Sequence, residues 1–158
     1  MRYRPCLAFC LIVAACEDTE ADRIARAPPG ALQAGEWEIV FDGSVTFAGS
    51  KSGDQPATHS FSHSRYICIP PAQAARPDPG VFFESGSKCR YDRFAMGGGG
   101  IDAVLKCEDD TLMVRGTYEE GRFDVTPQRK GLIRSLMDNQ YWHTRGRHVG
   151  DCRAQAKG

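Results

Sequence analysis

Cysteines are the residues of this 158-residue chain whose chemistry depends most clearly on their spacing. Cys6, Cys10 and Cys16 lie near the start, and four more follow at positions 68, 89, 107 and 152. An even number of cysteines in the later part of a chain is typical of a disulfide framework in an oxidising compartment. The chain has no Cys-x-x-Cys motif, so structural bridges are favoured over a redox-active pair.

The position of the Gly97–Gly100 run favours one of the three possible pairings of the last four cysteines. Opposed residues of a hairpin are equally far from its turn, and Cys89 and Cys107 centre on residue 98. Their Cα atoms should then lie about 4.5–5.5 Å apart, within disulfide reach. We therefore predict a Cys89–Cys107 bridge, which leaves Cys68 to pair with Cys152.

The histidines and glycines do not form a recognisable catalytic or metal-binding motif. His59 and His63 are predicted to lie about 13 Å apart along a strand, too far to share a metal ion. His143 and His148 should face opposite sides of a strand, because their numbers differ by an odd count. Strand-like sequence follows the four glycines, which predicts a turn rather than a phosphate-binding loop. We therefore predict no catalytic residue, no metal and no cofactor.

The first residues have the organisation of an export signal. Arg2 and Arg4 precede an apolar stretch, Pro5 to Ala15, that is shorter than the roughly 20 residues of a membrane span. The run Leu11-Ile12-Val13-Ala14-Ala15-Cys16 resembles a bacterial lipobox, whose cysteine is acylated and becomes the mature N-terminus. Lipidation of Cys16 would leave an even set of cysteines. Ordinary cleavage after Ala15 is the alternative, and it would leave one thiol over.

Signal peptide, tether, β domain and tail follow one another in the predicted organisation. Residues 1–15 are the signal, and residues 16–34 are the lipidated Cys16 and a polar, flexible tether. Residues 35–153 carry short aromatic and β-branched runs between turn residues, such as the alternating Trp37, Ile39 and Phe41. They predict an all-β domain, an antiparallel meander that closes as a small barrel or sandwich, with short helical turns and two disulfides. Residues 154–158 are a tail.

Charge is balanced over the chain but unevenly distributed. The formal net charge is zero, so nothing indicates a nucleic-acid partner, which would call for an excess of Lys and Arg. Residues 16–120 are acidic in balance, and residues 121–158 are basic. The basic part suits contact with anionic lipid or an acidic partner, or is an ordinary solvated surface.

Four landmarks in order resemble the proteobacterial family of domains of unknown function called DUF3617. They are Gly35-Glu36-Trp37-Glu38, Cys68-Ile69-Pro70-Pro71, the pair Cys89 and Cys107 around a Gly-rich turn, and Gly146-Arg147-His148-Val149-Gly150-Asp151-Cys152. The resemblance covers about residues 34–152 and implies a small exported protein, often a lipoprotein. The chain departs from the family at His148-Val149, where an aromatic residue often precedes the last glycine. The family has no established activity, so the resemblance implies no catalytic residue.

Together these features predict an uncharacterised bacterial envelope lipoprotein that faces the periplasm. A palmitate-type anchor on Cys16 would hold it on the inner or outer membrane; Glu17 and Asp18 can bias such proteins toward the inner one. We expect a non-enzymatic binding or interaction module, whose partner is an unknown envelope protein or a small apolar ligand. The alternatives are an enzyme of unrecognised type with a site at one barrel mouth, and a structural or stress-related lipoprotein.

Overall fold

The computed structural model describes residues 19, 29–47, 57–84, 88–108, 110–129 and 137–153. The predicted signal peptide, Cys16, most of the tether and the tail lie outside these residues. The described ranges contain no helix that is both long and apolar enough to cross a membrane.

Seven strands form a single antiparallel sheet, which confirms the predicted all-β fold. The strands follow the spatial order β2-β1-β7-β6-β5-β4-β3. Short 3-10 turns at Pro71–Gln73 and Pro79–Val81 are the described helical elements. The strands are β1 (Gly35–Phe47), β2 (Ala57–Ile69), β3 (Arg90–Gly97), β4 (Gly100–Lys106), β5 (Thr111–Glu119), β6 (Arg122–Arg129) and β7 (Met137–Gly150).

The sheet stays open, with β2 at one edge and β3 at the other. The chain between these two strands must therefore cross one face of the sheet. Val81 and Phe82 of this crossing segment are buried. The Phe82 ring lies 5.3 Å from that of Phe123 and 6.4 Å from that of Phe94. The crossing segment thus covers the apolar face, a role that barrel closure or a second sheet would otherwise fill.

The last part of the predicted tether is packed on the same face. Leu32 is only 3% exposed, and its N–H donates to the Ala74 carbonyl at 2.9 Å. Pro29 forms an isolated bridge with Gly97, and the Gly30 N–H donates to the Met96 carbonyl. Residues 29–34 therefore belong to the folded domain, which begins earlier than the predicted boundary at residue 35.

Strand alternation places the predicted apolar residues of β1 in the core. Trp37, Ile39 and Phe41 are buried, and the residues between them point to the other face. Pro127 lies within β6, beyond the last residue of β6 that pairs with β7, which is Val125. A proline is tolerated there because no β7 residue needs its missing N–H. The two strands separate beyond that point.

Both predicted disulfides are confirmed. Cys89 and Cys107 join the outer ends of the β3–β4 hairpin, and their Cα atoms lie 4.1 Å apart. Cys68 on β2 is bridged to Cys152, which follows β7, with Cα atoms 5.3 Å apart. The turn between β3 and β4 needs glycine, because Gly98 and Gly99 have φ values of 56° and 81°.

Candidate functional site

A groove of about 500 Å³ runs along the sheet face opposite the core. Every residue that lines it belongs to β1, β5, β6 or β7. The volume is within the range of small-molecule sites. We call it the arginine groove, and the lining residues used below are Glu38, Val40, Arg122, Asp124, Arg145 and Arg147.

The strand register brings two arginines side by side in the groove. Arg147 on β7 is the direct cross-strand partner of Arg122 on β6, and Glu38 on β1 lies on the far side of Arg147. Like charges in directly opposed positions destabilise a sheet. Arg147 Nη2 donates to Glu38 Oε2 at 2.6 Å, whereas Arg122 makes no ion pair with any residue that the structure describes. One guanidinium group in the groove therefore lacks an ion pair among the described residues.

The other carboxylates near the groove are held by different partners. Arg145 is the register partner of Asp124, but its Nη2 donates to Asp42 Oδ2 at 2.6 Å. Asp124 Oδ1 instead lies 2.7 Å from His143 Nε2. The hydrogen bond from the Ser62 hydroxyl, together with Arg145, lowers the pKa of Asp42 below its ordinary value of 3.8. These two acids are engaged elsewhere, while Glu119, which also lines the groove, is the register partner of Arg122 on β5 but forms no ion pair with it.

The groove lining carries three arginines and three carboxylates, Glu38, Glu119 and Asp124, so its formal charge is balanced. Planar guanidinium groups bind phosphate and carboxylate oxygens through paired hydrogen bonds, which is the chemistry that Arg122 and Arg147 offer. Val40 also lines the groove and contributes apolar surface, whereas the Phe123 ring is buried against Trp37 and Phe82 on the core face. This arrangement suits a molecule with an anionic head and a short apolar body.

A smaller pocket of about 170 Å³ lies between the crossing segment and strands β1, β2 and β7. The Phe83 and Trp142 rings meet edge to face there, with centroids 5.5 Å apart. The guanidinium carbons of Arg65 and Arg129 lie 4.9 Å and 5.4 Å from the Phe41 and Trp142 ring centroids, so the chain's own cations cover these rings. The pocket is lined by Phe41, Phe61, Phe83 and Trp142 and by the ion-paired His63 and Glu84, among others.

The four histidines do not come together. His59 and His63 lie along β2, and His143 and His148 lie on β7. On β1, the register partner of His143 is the outward Asp42, and that of His148 is the buried Trp37. Among the described residues, no group of three or more His, Cys, Asp or Glu side chains is arranged to hold a metal ion.

At the departure from the family pattern, His148 itself makes an aromatic contact. Its ring lies edge-on to Trp37 at a centroid distance of 5.7 Å. Its Nε2 lies 3.1 Å from the Ala34 carbonyl oxygen. The imidazole thus fills the place beside Trp37 and ties β7 to the segment that precedes β1.

One charged cluster was missed by sequence reasoning. Asp102 alternates along β4 with the buried Ile101 and Ala103, yet its side chain is also only 3% exposed. Arg93 on β3 and Arg115 on β5 cover it and bind one carboxylate oxygen each. The only signal in the sequence was an acid within the apolar run Ile101-Asp102-Ala103-Val104-Leu105.

Comparison with known proteins gives one match. A family model described as a protein of unknown function (DUF3617) matches residues 32–152, from the buried Leu32 to the disulfide-bonded Cys152. No curated protein and no solved structure matches the chain.

Proposed function

The chain belongs to the DUF3617 family of proteins of unknown function, and from its own geometry we propose that it is a non-enzymatic envelope lipoprotein that binds a small anionic amphiphile. The ligand would place a phosphate or carboxylate head between Arg122 and Arg147. Its apolar body would lie along Val40. This refines the sequence-based expectation of a small apolar ligand by adding an acidic head group.

The observation that carries the proposal is Arg122, which lies beside Arg147 and forms no ion pair with a described residue, although Glu119 opposes it on β5. A sheet gains nothing by placing two guanidinium groups in opposed positions. An oxyanion between them would relieve the repulsion and form charge-assisted hydrogen bonds, which are about twice as strong as neutral ones. The site would therefore favour anionic ligands over neutral ligands of the same shape.

The groove lacks the parts of a common hydrolytic site, which supports a binding role. No serine, cysteine or histidine of the described chain lines it, and its aliphatic hydroxyl group is that of Thr117. A nucleophile within reach of a general base is the usual mark of covalent catalysis. The groove's Glu38 is ion-paired to Arg147, and its Asp124 contacts His143 outside the groove.

Export and anchoring are the second part of the proposal. Two disulfides are typical of exported proteins in an oxidising compartment. The N-terminal signal and the lipobox-like run ending at Cys16 support a periplasm-facing protein held by a lipid. A tether of about a dozen residues between Cys16 and Pro29 would let the groove reach amphiphiles near the membrane surface.

Isothermal titration calorimetry tests the binding role. The probes are dodecyl phosphate and the neutral dodecyl maltoside, each below its micelle-forming concentration, added to the mature chain with Cys16→Ser. We expect saturable binding of dodecyl phosphate and much weaker binding of the maltoside. Arg122→Gln should weaken phosphate binding by roughly tenfold or more, the value of one hydrogen bond to a charged group.

The matched control is Arg90→Gln, which removes an exposed arginine from β3, on the far edge of the sheet. It should bind dodecyl phosphate as the unsubstituted chain does. Equal losses in both variants, or the absence of saturable binding, would refute the proposal.

A further inference from the structure

We propose that the outward edge of β2 is a self-association surface, on which a second copy of this chain adds its own β2 as an antiparallel neighbour. The joined sheets would then be continuous across a two-fold axis. The proposal does not depend on the arginine groove, which lies on other strands.

The two edge strands of the sheet, β3 and β2, differ in whether other backbone groups bond to their outer sides. At the β3 edge, residues 29 and 30 bond to the end of the strand, and a register irregularity lies between Tyr91 and Arg93. Bulges, charges and covering segments are the usual devices that prevent edge pairing. The β2 edge has thirteen residues in unbroken register with β1, and no described backbone group bonds to its outer side. Within the part of the chain that the structure describes, no other strand pairs with the outer side of β2.

The β2 sequence is suited to pairing with itself. His59-Ser60-Phe61-Ser62-His63 reads the same in both directions, and no Lys, Arg, Asp or Glu occurs from Ala57 to Ser64. In an antiparallel pair with its axis at Phe61, Ser60 of one copy opposes Ser62 of the other. No like-charged carboxylate or guanidinium groups meet in this register. Such self-complementarity is the requirement of a two-fold interface.

Phe61 gives this interface an apolar centre. It is 41% exposed, although it lies at the middle of a strand. The Phe61 ring packs directly over Gly43 on β1. A Cβ at Gly43 would lie 2.2 Å from this ring, so the packing requires glycine there. In the proposed register the two copies of Phe61 are direct cross-strand neighbours on one face, and aromatic pairs in that position stabilise a sheet.

Cysteine cross-linking tests the register. Two differently tagged full-length chains, one carrying Ser60→Cys and the other Ser62→Cys, are expressed together, solubilised in mild detergent, oxidised and separated by non-reducing electrophoresis. We expect a mixed disulfide-linked dimer, because opposed Cα atoms lie about 4.5–5.5 Å apart. The matched control combines Ser62→Cys with Ser64→Cys, which the register separates by about 13 Å.

Sedimentation of the unsubstituted chain provides the second measurement. Phe61→Lys should convert dimers to monomers, whereas Tyr66→Lys, at an exposed residue near the other end of β2, should not. Both variants place the new charge on an exposed position, so both are expected to fold. A control pair that cross-links as well as the test pair, or a Phe61→Lys chain that sediments like the unsubstituted one, would overturn the proposal.

Discussion

Asp102 illustrates how single residues in this sheet depend on their neighbours. Strand alternation places the carboxylate on the face of β4 opposite the side chains of Ile101 and Ala103. Its burial results from Arg93 and Arg115, whose side chains remain half-exposed or more and reach over it. Two solvated cations thus hold a nearly buried anion, and the cost of disrupting the cluster should depend on which member is removed.

Removing both arginines should destabilise the domain much more than removing all three charges. Arg93→Met with Arg115→Met leaves the Asp102 carboxylate buried and uncompensated, which should cost about 3 kcal/mol in the free energy of unfolding. Adding Asp102→Asn should recover most of that loss. Urea denaturation of the mature chain measures both values. A triple variant no more stable than the double variant would contradict this account.

Tyr91 offers a prediction in the alkaline range. Burial, with the negative charge of Asp78, raises the pKa of its hydroxyl above the ordinary value of 10.0, and the hydroxyl donates to the Pro77 carbonyl at 2.7 Å. Because the folded pKa is raised, this stabilisation is complete below about pH 10 and is lost as pH rises toward the folded pKa. The unfolding free energy should therefore fall above pH 10.

Tyr91→Phe isolates that contribution. The variant should lose about 1 kcal/mol at neutral pH with the hydrogen bond to Pro77, and it should show a weaker decline of stability above pH 10. Urea denaturation at a neutral and an alkaline pH provides the comparison. The same alkaline decline in both chains would show that Tyr91 is not its source.

At the scale of elements, hairpin geometry was predictable and long-range pairing was not. Cys89 and Cys107 could be paired because they are symmetric about the Gly97–Gly100 turn. The open edges could not be predicted, since they depend on β1 pairing with β7 across about a hundred residues. The packing of Leu32 was missed because it is a lone apolar residue in a polar run. The excess of basic residues after position 120 was visible, but only the β6–β7 register shows that Arg122 meets Arg147.

Gly116 on β5 is required by the packing of β5 against β6. A Cβ at this position would lie 1.9 Å from the Asp124 carbonyl oxygen of β6. The close approach of β5 and β6 therefore depends on glycine here. Nothing in the sequence near Gly116 indicated that approach, because it arises between strands and not within one.

The two disulfides should differ in what they contribute. Cys89–Cys107 spans 18 residues and Cys68–Cys152 spans 84. Loop-closure entropy gives about 3 kcal/mol for the shorter bridge and about 4.5 kcal/mol for the longer one. Replacing both cysteines of each bridge by serine and measuring urea denaturation tests this order. If loss of the shorter bridge costs more, strand packing and not chain entropy dominates their effect.

At the scale of the whole molecule, the proposed role joins an anchored N-terminus to a binding face. The crossing segment and residues 29–34 cover one face of the sheet, while the arginine groove occupies the other. The three arginines of the groove all come from the basic part of the sequence after residue 120. A lipid on Cys16 would hold this face near a membrane, where anionic amphiphiles are concentrated.

Cys16→Ala should abolish the proposed anchoring. The unsubstituted chain is expected in the membrane fraction, and the variant should accumulate as uncleaved precursor or appear as unlipidated protein. Fractionation with metabolic labelling by a fatty acid follows both. The anchor hypothesis fails if the variant still fractionates with membranes at an unchanged precursor size.

Amide chemical-shift mapping tests the binding claim most directly. Dodecyl phosphate is titrated into the isotopically labelled mature chain with Cys16→Ser, and backbone amide shifts are followed by nuclear magnetic resonance. We expect saturable shifts concentrated at Val40, Arg122, Gly146 and Arg147, which in Arg122→Gln saturate only at a roughly tenfold higher ligand concentration. Shifts concentrated instead around Phe83 and Trp142, or shifts that saturate at an unchanged ligand concentration in Arg122→Gln, would contradict the binding claim.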